Sequence, residues 1–162
     1  MDNSTNPVLA AANDLHLATN SIYLNAVAIP AGSPVQVKDL VVYVGNFNAA
    51  TSAFAGLYTD HGGAPQSLIT SANASIPGTG SVHLALTDLS GSRLYLPGGA
   101  TYWIALCSTG TGIDMGYHAG SGNTPSYQGN STALPQVLGV SPAVLTGSGP
   151  STLMAVQLEY CR

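Results

Sequence analysis

The sequence predicts an all-β fold, an antiparallel β-sandwich of jelly-roll type built from about eight to ten short strands with little or no helix. Three observations lead there. Apolar residues recur with a period of two, and no window holds the i, i+3, i+4, i+7 spacing of an amphipathic helix beyond a turn or two. Nineteen glycines and ten prolines are scattered between the apolar runs without a fixed period, which excludes collagen and long helices. The 162 residues are 45% hydrophobic, enough for one cored domain.

The elements follow in order. Residues 1–13 are polar and then small and apolar, and read as an N-terminal arm ahead of a single sandwich domain spanning 14–162. The run from Ser21 to Ile29 ends in a Pro30–Pro34 turn cluster. From Val35 to Val44 valines and leucines alternate with other residues, and Lys38-Asp39 breaks the phase, predicting a bulge. Ala53–Thr59 and Ser67–Ala72 flank Asp60-His61-Gly62-Gly63-Ala64-Pro65, which is hairpin turn chemistry. Val82, Leu84 and Leu86 share one face. Arg93–Leu96 precedes a Pro97-Gly98-Gly99 turn. Ala100–Cys107, the most apolar run, predicts a central strand; either Trp103 or the Tyr102/Ile104 pair faces outward from it. Ile113–His118 is a weaker strand. A long polar loop runs from Ala119 to Gln136, with a short edge strand at Val137–Val140. The final run puts Met154, Val156, Leu158 and Tyr160 on one face and Gln157 and Glu159 on the other.

The stretch from Leu40 to Leu106 carries an order of parts: Leu-Val-Val-Tyr-Val-Gly, then Gly-Leu-Tyr-Thr-Asp-His-Gly-Gly-Ala-Pro, then Val-His-Leu-Ala-Leu, then Leu-Pro-Gly-Gly-Ala-Thr-Tyr-Trp-Ile-Ala-Leu. It resembles β-sandwich modules of bacteriophage virion proteins and of secreted bacterial surface proteins and hydrolases. The residues that carry the resemblance are turn glycines and core aromatics. It therefore implies a fold and no binding site that transfers by position.

Charge excludes several functions. Only 6% of residues are charged, with three cations against seven acids, for a net charge of −4. Phosphate neutralisation needs clustered Lys and Arg, so neither nucleic acid nor an anionic membrane is an expected partner. No run is long enough to span a bilayer, and the first residues lack the basic start and apolar core of a secretion signal. Asn3, Asn73 and Asn130 fit the glycosylation pattern, which matters only in a eukaryotic secretory pathway.

Catalysis finds no pattern. Glu159 is the only glutamate, Asp39, Asp60, Asp88 and Asp114 sit at strand ends and turns, and Gly-x-Ser-x-Gly is absent. No enzymatic activity and no cofactor are expected. The four histidines lack zinc spacing; Asp60 and Asp114 are the only calcium candidates, and both also fit ordinary turn chemistry. Cys107 and Cys161 form a disulfide if two strands bring them together, and otherwise act as small hydrophobes. Tyr117, His118, Asn123, Tyr127 and Gln128 cluster in sequence around the long loop and could supply an aromatic platform with polar groups for a glycan.

So uncharged a surface is poorly protected against self-association and suits a protein that lives packed against neighbours. The expected function is a non-enzymatic virion component, a phage capsid decoration or tail-associated protein. It would be a homotrimer stabilising the particle through protein–protein contacts with capsid or tail proteins, the arm serving as a natural contact. The alternative is an extracellular carbohydrate-binding module or adhesin using the Tyr117/Tyr127 region.

Overall fold

Strands of alternating polarity bury one face each, and two sheets of them close a common core. The computed structural model describes residues 2–4, 13–16, 21–47, 51–76, 78–108, 113–119, 126–128, 134–138, 152–154 and 156–161. Its strands are β1 (Asp2–Ser4), β2 (Asn13–His16), β3 (Ser21–Ala28), β4 (Val35–Phe47), β5 (Thr51–His61), β6 (Ala64–Ile76), β7 (Gly80–Ala85), β8 (Tyr95–Leu96), β9 (Thr101–Ser108), β10 (Ile113–Ala119), β11 (Ser126–Gln128), β12 (Thr152–Met154) and β13 (Val156–Cys161). Among the described residues there is no helix, and hence none long and apolar enough to cross a membrane. All pairings are antiparallel, in one sheet of eight strands and one of five, and the two sheets form a β-sandwich.

The first sheet is organised by β4. Its thirteen residues outlast any single neighbour, so partners lie end to end along both edges. Val44 pairs with Gly80 of β7 on one side and Met115 of β10 on the other; Gln36 pairs with Tyr95 of β8 and Cys161 of β13. This division into short partners is why the described strands number thirteen, more than the eight to ten expected from the sequence. The bulge is where the phase break placed it. Glu159 pairs with Asp39 and Tyr160 with Val37, so Lys38 is the extra residue. Part of residues 1–13 is built into this sheet: β1 pairs with β13, and Asn13 begins β2, which pairs with β10.

The second sheet runs β11-β3-β9-β5-β6. The β5–β6 hairpin closes with His61 opposite Ala64, leaving Gly62 (φ 64°) and Gly63 (φ 84°) as a two-residue turn. Both central residues need positive φ, which glycine adopts without steric cost. β9 is central, between β3 and β5, as its apolar run predicted.

The main core lies between the sheets. Leu40, Val42 and Val44 of β4 and Leu158 and Tyr160 of β13 meet Ala55 and Leu57 of β5 and Tyr102, Ile104 and Leu106 of β9. Each fully buried aliphatic side chain here contributes about 1.5–3 kcal/mol of transfer free energy. The second sheet is also buried on its other side. Ile22, Leu24, Tyr58, Leu68, Trp103, Ala105 and Cys107 form a second cluster beneath Leu134 and Leu138. The alternation along β9 thus resolves its orientation. Tyr102 and Ile104 face the inter-sheet core, whereas Trp103 faces outward and is still only 9% exposed.

Candidate functional site

Residues 134–138 form a strap over Trp103 that is held by the backbone. Leu68 N–H donates to Gln136 O and Leu138 N–H to Gln66 O, both at 2.9 Å, and Ser67 bridges Val137. Tyr58 O–H donates to Pro135 O at 2.7 Å. The indole Nε1–H of Trp103 donates to Asp60 Oδ1 at 2.7 Å, while Gly63 N–H donates to Asp60 Oδ2 at 3.2 Å. Asp60, one of the two calcium candidates, therefore anchors the β5–β6 turn and accepts from the sole tryptophan. Both of its oxygens are engaged within the protein. Asp114 pairs through its backbone with Asn46 and His16, and its side chain lies outside the described residues.

Burial pushes the Tyr58 phenol well above its ordinary value, with a smaller contribution from nearby Cys107. Burial raises the Cys107 thiol as well. The folded state thus disfavours the phenolate. The phenol's contribution to stability is complete below about pH 10, the unfolded value, and is lost as pH rises above it. In a Cys107→Ala background, which removes the thiol beside the phenol, urea unfolding should show stability falling more steeply above about pH 10 with Tyr58 than with Tyr58→Phe, the buried Tyr102 being common to both. Equal slopes would mean that the phenol is not buried.

Neither Cys107 nor Cys161 is in a disulfide. Cys107 is buried in β9 of the second sheet, and Cys161 ends β13 in the first. The glycan candidates are divided too. Tyr117 and His118 lie in β10 of the first sheet, and Tyr127 and Gln128 in β11, the edge strand of the second next to β3. Their side chains, and Asn123 altogether, lie outside the described residues.

The structure brings together a polar group that spacing alone did not reveal. Asp39 of β4 stands directly opposite Glu159 of β13. His83 of β7 is paired with Val41, one step along the same outward face, and its Nδ1 lies 3.7 Å from Asp39 Oδ2. One donor atom from each of the three falls within 4.8 Å of the others. The sequence places His83 and Glu159 on the polar faces of their strands, but not the register that makes them neighbours.

A third feature is a rigid turn. Asp88 Oδ1 accepts from Ser90 N–H (2.9 Å), Ser90 O–H (2.6 Å) and Ser92 N–H (2.7 Å). The serine hydroxyl first, then the Ser92 amide, hold its carboxyl below the usual aspartate range. At the tip of this turn Leu89 is 70% exposed. Comparisons of the chain with protein-family models, curated proteins and solved structures find no match. The fold and these features define an all-β sandwich in which, among the described residues, the segment 134–138 covers the outer face of the second sheet, and the resemblance to virion and surface modules rests on its motif residues alone.

Proposed function

We propose that the protein is a non-enzymatic structural component that works through protein–protein contacts. The specific form is a bacteriophage capsid decoration or tail-associated protein, self-associated as a homotrimer on the virion. One observation carries the reading. Strand β6 ends the second sheet, and its thirteen residues, APQSLITSANASI, contain no charge. Strand β7, bordering the first sheet beyond β4, contains no Asp, Glu, Lys or Arg either. Soluble proteins protect sheet edges with lysines, inward charges, bulges or covering segments, because an open ladder recruits other strands. Here the strap covers β6 around residues 66–68, while Ser71, Asn73 and Ser75 are exposed. The Thr70 hydroxyl donates to the Thr87 carbonyl, which sets the Leu89 turn beside this same edge. An uncharged edge with an apolar tip next to it suits burial against a neighbouring subunit.

The glycan reading relies on Tyr117 and Tyr127, whose strands belong to different sheets. The test is Ser71→Lys with Asn73→Lys. Exposed substitutions of this kind change stability by about 0.5 kcal/mol or less. The double variant should dissociate to monomers while melting like the parent. An unchanged assembly would remove the β6 edge from the contact.

A further inference from the structure

We propose that Asp39, His83 and Glu159 form a binding site for a divalent transition-metal ion, zinc or manganese, on the outward face of the first sheet. The inference is independent of the structural-component reading. It starts from an electrostatic cost. Like charges directly opposite in an antiparallel pair destabilise the sheet. This chain has only seven acids, yet two of them, Asp39 and Glu159, occupy one cross-strand pair. A cation between them turns the repulsion into attraction.

The third group supplies the chemistry. The His83 imidazole comes from the strand on the other side of β4, so three neighbouring strands, β7, β4 and β13, each contribute one donor. The donor atoms lie within 4.8 Å of one another. Zinc binds imidazole nitrogen and carboxylate oxygen at about 2.0–2.2 Å, so ligands sharing one ion lie within roughly 4.4 Å. Small side-chain rotations close that difference. Asp39 is 32% exposed and His83 55%, which leaves the site open to an entering ion. Its floor is apolar: Val41, paired with His83 and with Gln157, is fully buried. Backbone pairing fixes all three attachment points, and sites built on strands hold geometry better than sites on loops.

The donor set selects the ion. Calcium and magnesium take oxygen ligands, whereas an imidazole with two carboxylates suits zinc, manganese, cobalt or nickel. Three protein ligands leave a further position for water or an exogenous donor. Two groups nearby provide the alternatives to be separated. Lys38, exposed and next to Asp39 in the chain, could neutralise the acid pair instead. Cys161 lies two residues beyond Glu159 on β13 and could capture zinc through its thiolate.

The test is calorimetric titration of the full chain with zinc chloride, manganese chloride and calcium chloride, beside thermal unfolding with and without metal. One zinc per chain is expected, with no calcium response. His83→Ala and Glu159→Gln should each weaken zinc binding about tenfold or more, while Cys161→Ser keeps the parental affinity. Without metal, Glu159→Gln should melt higher than the parent because the repulsion is gone. With saturating zinc the order should reverse, since only the parent gains the binding free energy. The proposal is overturned by an absence of zinc binding, by binding indifferent to His83→Ala, or by binding lost in Cys161→Ser alone. A metal-free Glu159→Gln that melts lower than the parent would also overturn it, because Lys38 would then already balance the pair.

Discussion

Trp103→Ala is expected to destabilise the fold by about 3–5 kcal/mol, the range for removing a large buried aromatic side chain. The indole sits among Tyr58, Leu68, Ala105, Leu134 and Leu138, so truncation empties the centre of the outer cluster. It also removes the donor to Asp60, whose other oxygen holds Gly63 in the hairpin turn. Trp103→Phe separates the two effects. It keeps most of the apolar area and loses the hydrogen bond, at a cost of about 1.5–3 kcal/mol for a bond to a charged group. Denaturant unfolding of the three proteins measures both differences. As the only tryptophan, Trp103 reports on its own burial: native emission should be blue-shifted and should move to the red in one step on unfolding. If Trp103→Ala unfolds within about 1 kcal/mol of the parent, the strap is not seated on the indole.

Gly56→Val is the second large effect. Gly56 lies in β5 on the covered side of the second sheet. A Cβ at this position would stand 2.6 Å from the Thr70 carbonyl oxygen and 2.6 Å from Leu134 Cδ1. A leucine methyl can rotate away, but the carbonyl is backbone of the paired strand β6 and cannot move without opening the ladder. Overpacking of well-filled sites costs about 1–3 kcal/mol and occasionally more, and a β-branched residue against backbone belongs at the upper end. The expected outcome is a loss of about 3 kcal/mol in urea unfolding, with hydrogen exchange rising first in β6 and in residues 134–138. Gly62→Ala is a useful contrast. Nothing lies within 4 Å of a Cβ there, so its cost comes from the positive φ alone and should be smaller.

The parts of the fold that were legible in the sequence are those that local chemistry dictates. Alternation gave the strands of the core, Gly62-Gly63 gave the hairpin turn, and the Lys38-Asp39 phase break gave the bulge. The apolar run from Ala100 to Cys107 announced a central strand, and the structure buries it on both faces. What covers its outer face was not legible. Leu134 and Leu138 stand at the end of a polar loop, and only the bridge between Ser67 and Val137 brings them over Trp103. The acid–imidazole group was hidden for the same reason. Asp39, His83 and Glu159 are far apart in the chain, and their meeting depends on two registers, β4 with β7 and β4 with β13. Period-two patterning specifies which face a residue occupies. It does not specify which strand lies alongside.

That distinction also governs function. The scarcity of charge is a property of the sequence, but its consequence depends on where the few charges fall. Two of the seven acids are committed to supporting turns, Asp60 beneath Trp103 and Asp88 beneath Leu89, and two more face each other across β4 and β13. None falls on β6 or β7. The stretch of β6 beyond the strap, where Ser71, Asn73 and Ser75 are exposed, therefore carries no charge of its own and stands beside an exposed leucine.

The most direct test of this account is the absolute mass of the native chain in solution, by light scattering after size exclusion, with and without reductant and over a wide range of protein concentration. The account predicts a discrete assembly, a trimer of the 16.3 kDa chain, that is indifferent to reductant because neither cysteine is in a disulfide. It should also persist at high salt, because the contact carries little charge. A monomer at every concentration would contradict it.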